Sequence, residues 1–104
     1  MNDKELLELS AKAAGIEPLG KAFEMNGDFA GFCMPARKIW NPLTDDGDAL
    51  RLAVKLGFVI DTSGDKTFCG TVHYDAIEHH KDDPYAATRR AIVRAAAEIG
   101  RGME

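Results

Sequence analysis

The sequence predicts an α+β fold in which three helices pack on a mainly antiparallel sheet, in the order α-β-β-α-β-β-α. Three segments carry apolar residues at helical spacing. Two further segments are rich in β-prone residues and are interrupted by turn sequences, Asn26-Gly27 and Ser63-Gly64-Asp65. The chain has 104 residues, which is the size of one domain, so residues 1–104 are expected to share one core.

The first helix is predicted in the sequence NDKELLELSAKAAGI. Its apolar face repeats at every third or fourth residue, through Leu6, Leu9 and Ala13. The side chain of Asn2 or Asp3 can cap the free amides of the first turn. Gly15 can end the helix, because glycine adopts the left-handed conformation at little cost.

A β-hairpin is predicted next, with strands at residues 21–25 and 29–33. Asn26-Gly27 is the preferred sequence of a type I′ turn, because both central residues need a positive φ. Pro35 is expected to close the second strand.

The second helix is predicted in TDDGDALRLAVKLG, with Thr44 as N-cap and Gly57 at its end. Asp45, Asp46 and Asp48 then occupy the first turn, where the helix dipole favours negative charge. The expected apolar face consists of Leu50, Leu52, Ala53, Val54 and Leu56.

A second hairpin is predicted in FVIDTSGDKTFCGTVHYD, with Val59, Phe68 and Val72 as core candidates. The last helix is expected to start at the N-cap Asp83 with Pro84 at its first position, and to end at Gly100 and Gly102. Its predicted buried face consists of Tyr85, Thr88, Ile92, Ala95, Ala96 and Ile99.

The clustered aspartates suggest a divalent-ion site or acid–base chemistry as an alternative to a helix start. An EF-hand loop needs glycine at its sixth position and glutamate at its twelfth. Counting from Asp45 gives Leu50 and Leu56 there, and counting from Asp46 gives Arg51 and Gly57. The calcium-loop pattern therefore fails in both registers, and helix capping is the favoured interpretation.

A second group of metal-ligand residues follows, namely Cys69, His73, His79 and His80. Zinc sites use paired short spacings that are absent here, although Cys69 and His73, four apart in an expected strand, would face the same side. A solvated loop around His79 and His80 is favoured over a metal site. No cofactor is indicated. Cys33 and Cys69 are far apart in apolar surroundings, so both are expected to be reduced, buried hydrophobic residues.

Trp40 is expected to pack in the core beside the second helix, with an exposed partner-binding anchor as the alternative. Arg90, Arg94 and Arg101 fall close to one face of the last helix, beside Arg89. They form either a solvated face or a docking patch for an acidic protein or a nucleic-acid backbone.

The overall charge disfavours nucleic-acid binding, because Asp and Glu number 17 against 13 Lys and Arg, for a net charge of −4. The N-terminal sequence lacks the layout of a signal peptide. Apolar runs also stay below the ~18–20 residues of a membrane span. We therefore expect a cytoplasmic protein without a membrane partner.

Two stretches, WNPLTDDGDALRLAVKLG and ATRRAIVRAAAEIG, resemble a family of small proteins encoded by phages and prophages, the phage ABA-sandwich type. The resemblance covers most of the chain. It is specific at Trp40-Asn41-Pro42 and at residues 89–99, and loose between Asp61 and Pro84. It implies a three-layer α-β-α sandwich, with helices on both faces of the sheet, and a phage or prophage origin. It brings no catalytic residue and no ligand.

The leading functional hypothesis is therefore a non-enzymatic accessory protein that binds a host or phage protein, or a second copy of itself. Its candidate binding residues are Trp40, Arg89, Arg90 and Arg94. One alternative is nucleic-acid binding through the arginines of the last helix. The other is a metal-dependent enzyme that uses the aspartate cluster or the histidines.

Overall fold

A computed structural model describes residues 1–16, 22–34 and 38–103, and of Phe23 it describes the backbone. Three helices and six strands lie in these residues. In chain order they are α1 Asp3–Ala14, β1 Ala22–Met25, β2 Asp28–Cys33, β3 Ile39–Trp40, α2 Asp46–Leu56, β4 Val59–Asp61, β5 Lys66–Gly70, β6 Asp75–His79 and α3 Pro84–Gly102. The predicted α+β class is confirmed, and the arrangement is consistent with a sandwich.

The strands form two antiparallel sheets, β1-β2-β3 and β4-β5-β6, in place of the single sheet expected. The prediction missed β3 and β6, so the order is α-β-β-β-α-β-β-β-α. β3 has two residues, too few to show an alternating pattern. β6 reads DAIEH, where charged residues surround a short apolar pair.

The predicted caps of α1 and the first hairpin turn are confirmed. Asn2 accepts a hydrogen bond from the Glu5 amide, and Gly15 ends α1 with a φ of 69°. Asn26 and Gly27 have φ values of 55° and 83°, as a type I′ turn requires. The predicted roles of Lys21 and Pro35 lie outside the described residues.

The start and the buried face of α2 differ from the prediction. Asp45, rather than Thr44, caps the helix by accepting a hydrogen bond from the Asp48 amide. Leu50 and Val54 are exposed, while Leu52 and the small residues beside it are buried. Since α2 carries apolar residues on more than one side, periodicity alone could not identify the side that packs on α3.

The second sheet buries one face against α3 and leaves the other open. Because residues paired across strands share a face, the register places Ile60, Cys69 and Ala76 on the inner face and Asp61, Phe68 and Ile77 on the outer face. The prediction of Val59, Phe68 and Val72 as core residues is therefore wrong. Phe68 is half-buried on the outer face and does not belong to the core cluster. Val59 lies on the outer face beside Gly70, and Val72 lies in the turn after β5; both are exposed.

The last helix, α3, lies at the centre of the molecule and contacts α1, α2, β5 and β6. Its predicted start at Asp83 and Pro84 is confirmed. Tyr85 is exposed rather than buried, because it lies in the first turn, outside these contacts. The helix also continues through Gly100, where a Cβ atom would lie 2.7 Å from the carbonyl carbon of Leu9. Gly100 thus permits close packing of α1 instead of ending the helix.

The core around α3 is built from small side chains, since the helix is enclosed on several sides. Its buried members are Ala87, Ala91, Ile92, Val93, Ala95, Ala96 and Ala97. Leu6 and Leu7 of α1 and Leu52 of α2 complete it.

Candidate functional site

The segment from Trp40 to Asp48, which we call the 40–48 joint, ties the first sheet to α2. Trp40 is 6% exposed and belongs to the core, so it lacks the exposure that a partner-binding anchor requires. The side-chain Nδ2 of Asn41 donates to the carbonyl of Ala30 in β2 at 2.9 Å. Its side-chain oxygen accepts from the Leu43 amide at 3.0 Å. This asparagine therefore fixes the chain between β3 and α2.

Asp48, in the first turn of α2, connects the helix to the start of the 40–48 joint. Its side chain is 2% exposed. One carboxylate oxygen accepts from the Asn41 amide at 3.0 Å. The other accepts from Arg51 at 2.8 Å and lies 3.5 Å from the Lys38 ammonium. A buried carboxylate is stable only when hydrogen-bonded or paired, and this one is both.

The other two aspartates of the cluster have separate tasks. Asp45 caps α2, with the Asp48 amide donating to its carboxylate at 2.8 Å. Asp46 pairs with Arg89 of α3 at 2.7 Å. The three carboxylates therefore do not converge on one point. In the described part of the chain, no group of three or more His, Cys, Asp or Glu residues is placed to hold a metal ion.

His80 belongs to a hydrogen-bonded chain, which differs from the predicted solvated loop. The Thr88 hydroxyl donates to the Pro84 carbonyl at 2.8 Å. It therefore accepts from the Thr67 hydroxyl, 2.8 Å away, because a hydroxyl has a single proton. Thr67 must then accept from Nε2 of His80, also at 2.8 Å.

This direction of donation bears on catalysis. A histidine that activates a hydroxyl must accept its proton, whereas His80 donates to Thr67. The Thr67 side chain is also fully buried. The pair consequently has the geometry of a link between the second sheet and α3, and not that of a nucleophile with its base.

The remaining ligand-type residues lie apart from one another. Cys69 is completely buried on the inner face of the second sheet, and this burial raises the pKa of its thiol to about 12. His79 lies on the outer face of that sheet. The expectation that His73 shares a strand face with Cys69 is wrong, because β5 ends at Gly70. Both cysteines are free, and Cys33 is half-buried.

Each candidate arginine has an acidic partner. Arg89 pairs with Asp46, and its Nε also donates to the Leu43 carbonyl at 2.8 Å. The other three pairs are Arg90 with Asp3, Arg94 with Glu78, and Arg101 with Glu98. Arg90, Arg89 and Arg94 therefore hold α3 to α1, to α2 and to β6, whereas the Arg101 pair lies within α3. The charges of all four arginines are balanced locally.

An exposed apolar surface lies where α2 and α3 meet, and the sequence interpretation missed it. Leu50 and Val54 project from the same face of α2 and are 59% and 72% exposed, and Tyr85 of α3 is 71% exposed. Leu50 and Tyr85 line a cleft of about 180 Å³ together with Ile60 and Ile92, and the Asp46–Arg89 pair borders it. We call Leu50, Val54 and Tyr85 the α2–α3 apolar surface.

The signal for this surface was present but ambiguous in the sequence. Leu50, Val54 and Tyr85 were all assigned to the core on helical spacing. Only the packing of α2 and α3 shows that these positions lie outside it.

None of the helices in the described residues combines the length and hydropathy needed to cross a membrane. Comparison with protein-family models, curated proteins and solved structures finds no match to this chain.

Proposed function

We propose that this chain is a non-enzymatic protein-binding module that presents the α2–α3 apolar surface to a partner protein. The observation that carries the proposal is the exposure of Leu50, Val54 and Tyr85, of which Leu50 and Tyr85 line an open cleft. Apolar side chains gain about 25 cal/mol for each Å² removed from water. A partner that covers these three residues therefore gains binding free energy that folding leaves unused.

The composition of the surface suits an interface. Tyrosine is enriched among the residues that dominate binding energy, and it contributes most when a packed rim excludes water around it. Here the cleft between Leu50 and Tyr85 can accept an apolar side chain, and the Asp46–Arg89 pair supplies a polar rim. Of the arginines considered from the sequence, Arg89 is the one that borders this cleft.

The non-enzymatic part of the proposal is supported by the state of the most reactive side chains. The Cys69 thiol is buried with a raised pKa, so its nucleophilic thiolate is scarce at neutral pH. The aspartates of the 40–48 joint are occupied by capping and ion pairs.

A phage or prophage origin is part of the proposal and is supported by the resemblance at Trp40-Asn41-Pro42 and at residues 89–99. Both stretches carry architectural roles in this fold, namely the joint to α2 and the central helix. Likeness there is therefore a likeness of fold, and the partner surface has to be tested separately.

The test is capture of a partner from induced or infected host cells by the immobilised protein, followed by measurement of affinity with the purified partner. The double variant Leu50→Ser/Tyr85→Ser should lose at least about tenfold in affinity, because truncating interface anchors typically costs more than ~1 kcal/mol each. Val72→Ser is the matched control, because this exposed residue lies away from the cleft.

Both variants should keep the wild-type melting temperature, since all three side chains are exposed. Equal affinity of the double variant and the wild type would show that the partner binds elsewhere. Loss of binding by both variants would also count against this surface.

A further inference from the structure

A cleft of about 390 Å³ opens between the end of α1, the first sheet and α2, and we call it the α1–α2 cleft. Its volume lies within the range of small-molecule sites, which are concave and mostly apolar with a few placed polar groups. The cleft reaches down to the core, because Trp40 and Leu52 of the core cluster line it. Its apolar lining consists of Ala14, Ile16, Met34, Trp40 and Leu52.

Three cationic side chains line the same cleft, namely Lys38, Arg51 and Lys55. All three are exposed, whereas the apolar residues of the lining are buried or half-buried. The positive charges therefore lie at the mouth of the cleft and the apolar groups lie deeper. A ligand that matches this order has an apolar body and a negatively charged head.

Buried Asp48 holds two of these cations in place. Its carboxylate accepts from Arg51 at 2.8 Å and lies 3.5 Å from the Lys38 ammonium. Side chains that are already fixed lose less freedom when a ligand binds, so this arrangement lowers the entropic cost of binding. Arg51 also keeps donors for a ligand, because a guanidinium group carries five N–H groups.

The charges at the mouth indicate the sign and number of charges on the ligand. Among the described residues, the three cations meet two carboxylates, those of Asp48 and of Asp45, which lies 3.9 Å from Arg51. This leaves an excess of one positive charge, in a chain whose net charge is −4. Lys55 is the member of the three that has no carboxylate partner in the described residues. A single negative charge complements this excess.

We propose that the α1–α2 cleft binds a small amphipathic monoanion, namely a carboxylate with an apolar chain. The carboxylate lies at Lys55 and the chain extends toward Trp40. At roughly 30 Å³ for each water-sized group, the volume corresponds to on the order of a dozen non-hydrogen atoms, which is the size of a medium-chain fatty acid. The site is independent of the function proposed above, since no residue lines both this cleft and the one at the α2–α3 apolar surface.

Titration with decanoate, followed by tryptophan fluorescence, tests the proposal, because Trp40 is the single tryptophan of the chain. The emission should change to saturation with one ligand bound per chain and a Kd on the order of 1 mM or below, as expected for a ligand of this size. Decyltrimethylammonium carries the same chain with the opposite charge and should bind at least about tenfold more weakly. Acetate, which has the head without the chain, should give no saturable change.

Two charge reversals test the position of the head. Lys55→Glu should weaken decanoate binding at least about fivefold, because it places a carboxylate where the ligand head lies. Lys4→Glu is the matched control: it makes the same change of charge at an exposed residue of α1 outside the cleft lining, and it should bind decanoate like the wild type. Thermal melts check that both variants are folded. If Lys55→Glu is unfolded, Lys55→Gln replaces it and should weaken binding at least about twofold.

Three results would overturn the proposal. The first is the absence of a saturable change with decanoate. The second is equal affinity for decanoate and decyltrimethylammonium, which would show binding of an apolar chain without recognition of charge. The third is equal weakening by Lys4→Glu and Lys55→Glu, which would show an effect of net charge alone. Leu50→Ser/Tyr85→Ser should bind decanoate like the wild type, so failure here is distinguishable from failure of the proposed function.

Discussion

At the scale of single residues, burial decides how much an aspartate contributes to the stability of the fold. Asp46 and Asp48 are two residues apart, yet Asp46 is exposed and pairs with Arg89, whereas Asp48 is buried and accepts from the Asn41 amide. An exposed ion pair gains little because water screens it and two side chains must be immobilised. A buried acceptor is different, because its removal leaves a donor without a partner.

We therefore expect Asp48→Ala to lower the free energy of unfolding by about 2–3 kcal/mol, from the loss of the Asn41 and Arg51 hydrogen bonds. Asp46→Ala, the matched control, should cost less than about 1 kcal/mol. Urea unfolding followed by tryptophan fluorescence measures both, since Trp40 lies in the same joint. An equal loss of unfolding free energy in the two variants would contradict the conclusion that buried Asp48 stabilises the 40–48 joint.

The sequence supported the helix-start interpretation of these residues but not their individual roles. Capping chemistry is local, so a helix beginning near Asp46 could be predicted. Buried Asp48 is contacted by Asn41 and Lys38, which approach from outside α2. Thr44 is not the N-cap, and its hydroxyl donates to the Asn41 carbonyl at 3.4 Å.

At the scale of elements, α3 shows how close packing reverses ordinary helix propensities. Alanine is the best helix former and glycine one of the worst, so replacing a helical glycine by alanine normally stabilises by up to about 1 kcal/mol. At Gly100 the backbone of Leu9 occupies the space that a Cβ atom would need.

Gly100→Ala is therefore expected to destabilise the protein by more than about 2 kcal/mol, because α1 must move away from α3. Gly102→Ala is the matched control in the last turn. Its Cβ would meet the Tyr74 hydroxyl at 3.1 Å, and a half-exposed side-chain end can shift, so its effect should stay within about 0.5 kcal/mol. Thermal melts of the two variants decide the point, and a stabilised Gly100→Ala protein would refute the close contact.

Elements with their own caps, turns or periodicity could be predicted from the sequence. Strands that form only by pairing with a neighbouring strand could not. α1, α2, α3 and both hairpins follow from caps, turns and periodicity. β3 is a strand because Trp40 pairs with Phe32 of β2, and β6 is a strand because it completes the sheet beside β5. Neither pairing leaves a local pattern of its own.

At the scale of the whole molecule, the positive charge of α3 is balanced in ion pairs with carboxylates. The four arginines considered for nucleic-acid binding all lie on α3, and each is joined to a carboxylate. A phosphate backbone would have to displace these carboxylates and also overcome the net charge of −4.

We accordingly expect the protein to pass a heparin column without retention at about 50 mM salt, where electrostatic binding is strong. The variant Asp3→Asn/Glu98→Gln frees Arg90 and Arg101 and tests the sensitivity of the assay, since it should be measurably retarded. Retention of the wild type, with elution by added salt, would instead favour the nucleic-acid alternative.

The packing of α1 on α3 also determines when the molecule can fold during synthesis. These helices, Asp3–Ala14 and Pro84–Gly102, lie at opposite ends of the sequence, yet they contact one another along the centre of the core. The first helix leaves the ribosome seconds before its partner, at roughly 5–20 residues per second. Until then only its smaller contacts with α2 and β2 can cover its apolar face. Folding must close a loop of nearly the whole chain, which favours late, slow and cooperative assembly over stepwise growth.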